Sequence, residues 1–143
     1  MLKGIDPILG PELLKVLRAM GHGDDIAIVD GNYPADTDAK RLIRMDGLSV
    51  TAIMDAILSV MPLDDMVPEA CWRPAAELDP KHIEPIFEEF DAIVAKHEPK
   101  QKVHVLVGAD FYNKVRASYA LIATTERRLY GNIVLKKGVI YPA

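Results

Sequence analysis

The stretch "GPELLKVLRAMGHGDDIAIVD", residues 10–30, holds the two elements from which the fold can be read. Pro11 suits the first position of a helix, where its missing N–H is no loss. Leu13, Leu14, Leu17 and Met20 recur behind it at helical spacing. The pattern predicts a helix over 11–20, closed by Gly21 in the left-handed conformation that ends many helices. "IAIVD" then reads as a short buried strand by its β-branched content, ending at Asp30. A helix running directly into a buried strand is a building unit of α/β domains.

Outward from this unit the same alternation continues. Residues 31–39, "GNYPADTDA", crowd glycine, proline and Asx residues into a loop. Ser49 caps a second helix in "DGLSVTAIMDAILSVM", whose Val50, Ile53, Met54, Ile57, Leu58 and Met61 form one apolar stripe. "VPEACWRPA" reads as an interrupted edge strand, because Pro68 and Pro74 bracket it. Asp79 and Pro80 read as cap and first residue of a third helix, running to His97 and bent near Pro85. Strand "KVHVLV", helix "ADFYNKVRASY", strand "ALIATT" and strand "NIVLKKGVI" complete the chain. The reading is one α/β domain over residues 1–143, with helices packed on a largely parallel sheet.

With 143 residues and half of them apolar, the chain can bury a real core. A formal charge of −4 and no basic face argue against a nucleic-acid partner. The pairs Arg127-Arg128 and Lys136-Lys137 read as solvated surface. No run approaches the length of a membrane span, and the first residues lack the apolar stretch of a secretory signal. The single cysteine, Cys71, has no disulfide partner and reads as a buried small hydrophobe, so a cytoplasmic protein is expected. Neither GxGxxG nor GxxxxGK[ST] occurs, which removes the usual nucleotide cradles.

Four histidines are candidates for chemistry. His82 and His97 fall in a charged helix without ligand-spaced partners, and His104 alternates with valines in a strand; all three read as structural. His22 is different, because it sits in a turn between two glycines that let the backbone approach a ligand. Its side chain exchanges protons near neutrality, and Asp30 lies at the carboxyl end of the next strand, where open α/β sheets gather ligands. Together they could handle a hydroxyl-bearing substrate. A helix end, a polar turn and an aspartate opening a loop account for the same residues without chemistry. Tyr130, Gly131 and Asn132 bring a phenol, bare backbone and an amide together, suited to sugar hydroxyls and to a sugar's C–H face. They also suit an ordinary turn.

Four stretches carry a resemblance: "GPELLKVLRAMGHGD", "IRMDGLSV", "FYNKVRASYALIATTERRLYGNI" and "LKKGV". On them the chain resembles the RbsD/FucU family of sugar mutarotases and pyranases, and most of all its L-fucose mutarotase branch. The resemblance implies an RbsD-like α/β fold, ring-shaped homo-oligomers, commonly decamers, with sites near subunit contacts, and neither metal nor organic cofactor. It implies an isomerase acting on a monosaccharide, with His22 as catalytic proton donor and Asp30 binding substrate. Tyr130, Gly131 and Asn132 would contact the sugar. A ribose-type pyranase and a non-catalytic sugar-binding accessory of transport or catabolism are the alternatives. Two departures from the branch stand out. Gly108 occupies the place of an arginine that contacts substrate, for which Asp110, one turn from Lys114, is a candidate substitute. Asn32 and Tyr33 replace His-Phe, which points to a different sugar preference.

Overall fold

The computed structural model describes all residues, Met1–Ala143. Six strands form one sheet: β1 (Asp25–Val29), β2 (Leu42–Met45), β3 (Cys71–Pro74), β4 (His104–Leu106), β5 (Ala120–Thr124) and β6 (Ile133–Lys136). Their order is β2-β5-β1-β6-β3-β4. The pairs β2·β5, β5·β1 and β3·β4 are parallel, while β6 runs antiparallel to both β1 and β3. Five strands therefore point one way, and the expected α/β domain with a largely parallel sheet is what forms.

Helices cover both faces, and this explains the continuous apolar run of β1. Ile26 and Ile28 face a cluster of 26 buried residues that includes Leu13 and Leu17 of α1 (Pro11–Ala19). Ile53 and Ile57 of α3 (Val50–Leu58) and Phe87 and Phe90 of α4 (Pro85–His97) fill the same layer. Ala27 and Val29 face a smaller cluster with Ala35 of α2 (Ala35–Asp38) and Phe111 and Val115 of α5 (Ala109–Arg116).

Several local expectations give way to the structure. Helix α1 ends with Met20 in extended backbone, and the left-handed residue is Gly23 (φ 86°), not Gly21. The chain turns through Gly21–Asp24, with Asp24 N donating to Gly21 O at 3.2 Å. Helix α4 begins at Pro85, whose ring holds Glu84 in extended backbone (φ −94°, ψ 149°). Asp79 caps no helix; its carboxylate accepts from Lys81 N at 2.9 Å in an Asx turn. His82 accordingly lies outside α4. Strand β3 is interior rather than an edge, since Pro74 is its last residue and Pro68 lies outside it. The charged pairs are not simply solvated. Lys137 Nζ donates to Leu17 O and Met20 O at the end of α1, Lys136 pairs with Asp25 at 2.9 Å, and Arg128 pairs with Glu126. Arg127 alone is exposed. Ser49 caps α3 as expected, accepting from Ala52 N at 3.2 Å, and Cys71 is buried and free.

Candidate active site

The antiparallel pairing of β1 with β6 places the end of one strand beside the start of the other, with Ile28 opposite Ile133. Asp30 and Asn132, far apart in sequence, are therefore adjacent in space. Asp30 N donates to Asn132 Oδ1 at 2.7 Å, and Asn132 Nδ2 donates to Asp30 Oδ2 at 3.3 Å. Asn32 N donates to the other carboxylate oxygen at 3.0 Å, an Asx turn that fixes the loop after β1. Gly31 N donates to Glu126 O at 2.9 Å, tying that loop to the one after β5. Gly131 is closely packed: a Cβ there would lie 3.0 Å from Glu126 Cγ, 3.0 Å from Ile86 Cδ1 and 3.1 Å from Arg128 O.

Two cavities flank the Asp30–Asn132 pair. One, of about 230 Å³, is lined by Asp30, Tyr33, Thr124 and the guanidinium-bearing Arg44. The other, of about 140 Å³, is lined by Tyr130, Asn132, Gly108, Tyr112, Glu77 and Leu78. Tyr33 joins them, its ring stacked on Tyr112 at 5.6 Å between centroids. The Tyr33 hydroxyl is engaged in donating to Asp38 at 2.7 Å, and Arg116 pairs with the same carboxylate. Tyr33 thus offers the cavities an aromatic face. Glu77, Leu78 and Tyr130 are the three non-glycine residues with positive φ, and all three line the smaller cavity. Strained backbone persists where surrounding structure over-determines it, and it gathers at functional sites.

Gly108 explains its own departure. With φ 56° and ψ −126° it adopts a backbone that side-chain-bearing residues strongly disfavour, so no arginine fits there without remodelling the start of α5. Asp110 lines neither cavity within the chain. Lys114 turns away to pair with Asp25 at 3.2 Å and to cover the Trp72 ring at 3.8 Å.

His22 does not converge with Asp30 within one chain. The two stand at opposite ends of β1, and five strand residues separate them by about 16 Å. Instead His22 Nε2 lies 3.0 Å from Asp64 Oδ1, a buried carboxylate that sequence patterning does not single out. Arg44 and Glu77 are likewise revealed only by the fold, although Arg44 belongs to the "IRMDGLSV" stretch. No group of three or more His, Cys, Asp or Glu side chains is arranged to hold a metal ion.

The description "RbsD / FucU transport protein family" fits a family model over residues 3–140. The chain belongs to the RbsD/FucU family. Its curated relatives include the fucose mutarotase of Mus musculus, 37% identical over 97% of this chain and 95% of that protein. Among solved structures, the fucose mutarotase of Streptococcus pneumoniae in complex with L-fucose is 38% identical with a TM-score of 0.91, covering 98% of this chain and all of that one. Bacillus subtilis RbsD complexed with D-ribose, 23% identical with a TM-score of 0.74 over 99% of this chain and all of that one, shares the fold.

In this RbsD/FucU chain, burial raises the Asp30 carboxyl above its ordinary value, against opposing hydrogen bonds from Asn32 and Asn132. An acid so shifted keeps its proton more firmly folded than unfolded, so its ionisation costs stability as pH rises through that window. Asn at the same place has no proton to lose. The melting temperature of Asp30→Asn relative to the native chain is expected to climb as pH rises through and above the ordinary carboxylate range. Thermal denaturation across that range checks it, and a difference constant with pH contradicts the assignment.

Proposed function

We propose that this chain is a monosaccharide mutarotase, an isomerase that interconverts the anomers of L-fucose or a related sugar. The observation that carries the reading is the Asp30–Asn132 pair, set between two cavities beside a strained Tyr130. It belongs to a chain 38% identical to a structure solved with L-fucose. Mutarotation opens the hemiacetal and recloses it. A base takes the proton of the anomeric hydroxyl, the bond from C1 to the ring oxygen breaks as C1=O forms, and an acid protonates the ring oxygen. Rotation about C1–C2 and the reverse steps give the other anomer, with no net change in atoms.

Asp30 accepts a sugar hydroxyl, Asn132 donates to one, and Tyr130 and the bare backbone of Gly131 meet the ring. Asn32 borders the same loop, and the Tyr33 face packs on the sugar's C–H surface. His22 handles the proton. Since Asp30 lies at the far end of β1, the His22 that serves it belongs to a neighbouring copy, and the working site requires the ring-shaped homo-oligomer, a decamer. A cytoplasmic setting is part of this reading and rests on the buried, unpaired thiol of Cys71.

Saturation-transfer NMR on a panel that includes L-fucose and D-ribose tests the proposal. Accelerated exchange of magnetisation between α and β anomers is expected for at least one sugar. The absence of a guanidinium at Gly108 favours a preference other than L-fucose within that panel, including exchange of the ribose-pyranase type. Binding without faster exchange for any sugar would make the protein a non-catalytic sugar-binding accessory and end the mutarotase reading.

A further inference from the structure

Strands β3 and β4 run parallel with Pro74 opposite Leu106, so the chain leaves both at the same end of the sheet. Ala75 N donates to Leu106 O at 3.0 Å and holds the two exits together. The first continues as the turn Ala76–Asp79, closed by Asp79 N donating to Ala76 O at 2.9 Å. The second reaches Gly108 at the start of α5. Side by side, they bring Leu78 over Gly108: a Cβ at 108 would meet Leu78 Cδ2 at 3.6 Å.

The turn carries Glu77 at φ 52° and Leu78 at φ 60°. Two successive left-handed residues suit Gly, Asn or Asp, and a leucine there works against its steric preference. Burial does not offset this, since Leu78 stays 70% exposed in the chain. Glu77 extends outward, its side chain 69% exposed and 3.8 Å from His82 Nδ1. Leu78 and Gly108 both line the cavity of about 140 Å³, and with Pro74, Ala75 and Phe111 they give it a stretch of wall without polar side-chain atoms. Tyr130 and Asn132 supply the same cavity with a hydroxyl and an amide.

We propose that Leu78 is a specificity-determining residue, whose methyl groups, seated over the bare Gly108, select a monosaccharide that lacks one of its hydroxyls on that side. This rests on the mutarotase reading and names the class of sugar that the site takes. Methyl groups neither donate nor accept hydrogen bonds. A sugar hydroxyl pressed against them gives up its water and gains no partner, whereas a CH2 at the same place loses nothing and gains apolar contact. A leucine held exposed in left-handed backbone does not serve stability, and strain of this kind is kept where a ligand is bound.

Sugar pairs that differ by one hydroxyl test this: L-fucose against its 2-, 3- and 4-deoxy analogues, and D-ribose against its 2- and 3-deoxy analogues. Saturation transfer over a range of sugar concentrations gives kcat/KM for anomer exchange. Each value is divided by that sugar's uncatalysed rate, because removing a hydroxyl also alters spontaneous ring opening. At least one deoxy analogue is expected to exceed its parent by ~10–100-fold. Leu78→Asn tolerates left-handed backbone and exchanges the methyls for an amide, so it should bring that ratio to one or below. Leu78→Met keeps the apolar bulk and should keep the preference. Leu78→Gly removes the strain together with the side chain. Its ratio should fall ~10-fold while its melting temperature stays at or above the native value. Parents that outpace every deoxy analogue, or a native ratio in Leu78→Gly or Leu78→Asn, overturn the proposal. So does a Leu78→Gly protein that melts early or sediments as a smaller assembly than the native chain, since Leu78 would then be a packing or subunit contact. A native chain that speeds exchange of no sugar ends the mutarotase reading and this role with it. Exchange without any deoxy preference refutes the role of Leu78 alone.

Discussion

Replacing His22 with alanine is expected to slow anomer exchange by ~10²–10⁴-fold, the range that a positioned general acid–base supplies. The fold should survive, because the ring is nearly half exposed and Asp64 keeps the Met66 N–H as a partner. Asp30→Ala is expected to lose exchange as well, through lost sugar contact. The informative result comes from combining them. Within one chain these residues stand about 16 Å apart at the two ends of β1, so neither variant can repair its own site. In a closed ring whose sites each take His22 from one copy and Asp30 from the next, some sites of a mixed assembly draw both intact residues. Random co-assembly of the two variants in equal amounts should restore about one site in four. Saturation transfer on the co-expressed chains reads this directly. Activity no greater than that of either variant alone would show that His22 and Asp30 do not share a site across copies.

That separation also marks where sequence reasoning reaches its limit. Local signals carried the helices whose ends are written in a few residues: Pro11 opening α1, and Ser49 accepting from Ala52 N at the start of α3. They failed where two such signals compete. Asp79-Pro80 and Glu84-Pro85 both look like helix starts, and the choice depends on which turn packs against the sheet. Pro85 holds Glu84 in extended backbone, so the helix that carries Phe87 and Phe90 into the core begins there. The four residues of β2 are too few to show an alternation, and their place beside β5 is a tertiary fact. The site divides in the same way. The resemblance made His22, Asp30, Tyr130, Gly131 and Asn132 legible as a set. It did not reveal that Asp30 and Asn132 bond each other while His22 points elsewhere, since that follows from the antiparallel insertion of β6. Asp64 left no trace in the sequence pattern, because its meaning comes from a partner on another loop.

Gly138, in the "LKKGV" stretch, is expected to be the glycine least tolerant of substitution. Its backbone conformation is one any residue can adopt, so the constraint is purely steric. A Cβ at this position would lie 2.6 Å from Leu63 O and 2.8 Å from Asp64 Cα. Both are backbone atoms, and no rotamer change can move them aside. The segment that would have to retreat is bound to β6 and its extension: Gly138 N donates to Pro62 O at 2.8 Å, Asp64 N donates to Lys136 O, and Leu63 bridges Lys137. Overpacking with the loss of one or two of these bonds predicts a destabilisation of ~2–4 kcal/mol for Gly138→Ala. In a domain of this size that lowers the melting temperature by roughly 5–15 °C. Gly131→Ala should cost less, because two of its three close contacts are the side-chain atoms Glu126 Cγ and Ile86 Cδ1, which can give. Gly10→Ala, with nothing within 4 Å, is the control. The displaced backbone in Gly138→Ala carries Asp64, which bonds His22, so at temperatures where the variant remains folded the anomer-exchange rate should also fall. A Gly138→Ala protein that melts with Gly10→Ala would refute the close packing. One that melts early yet retains native exchange when folded would separate this packing from the support of His22.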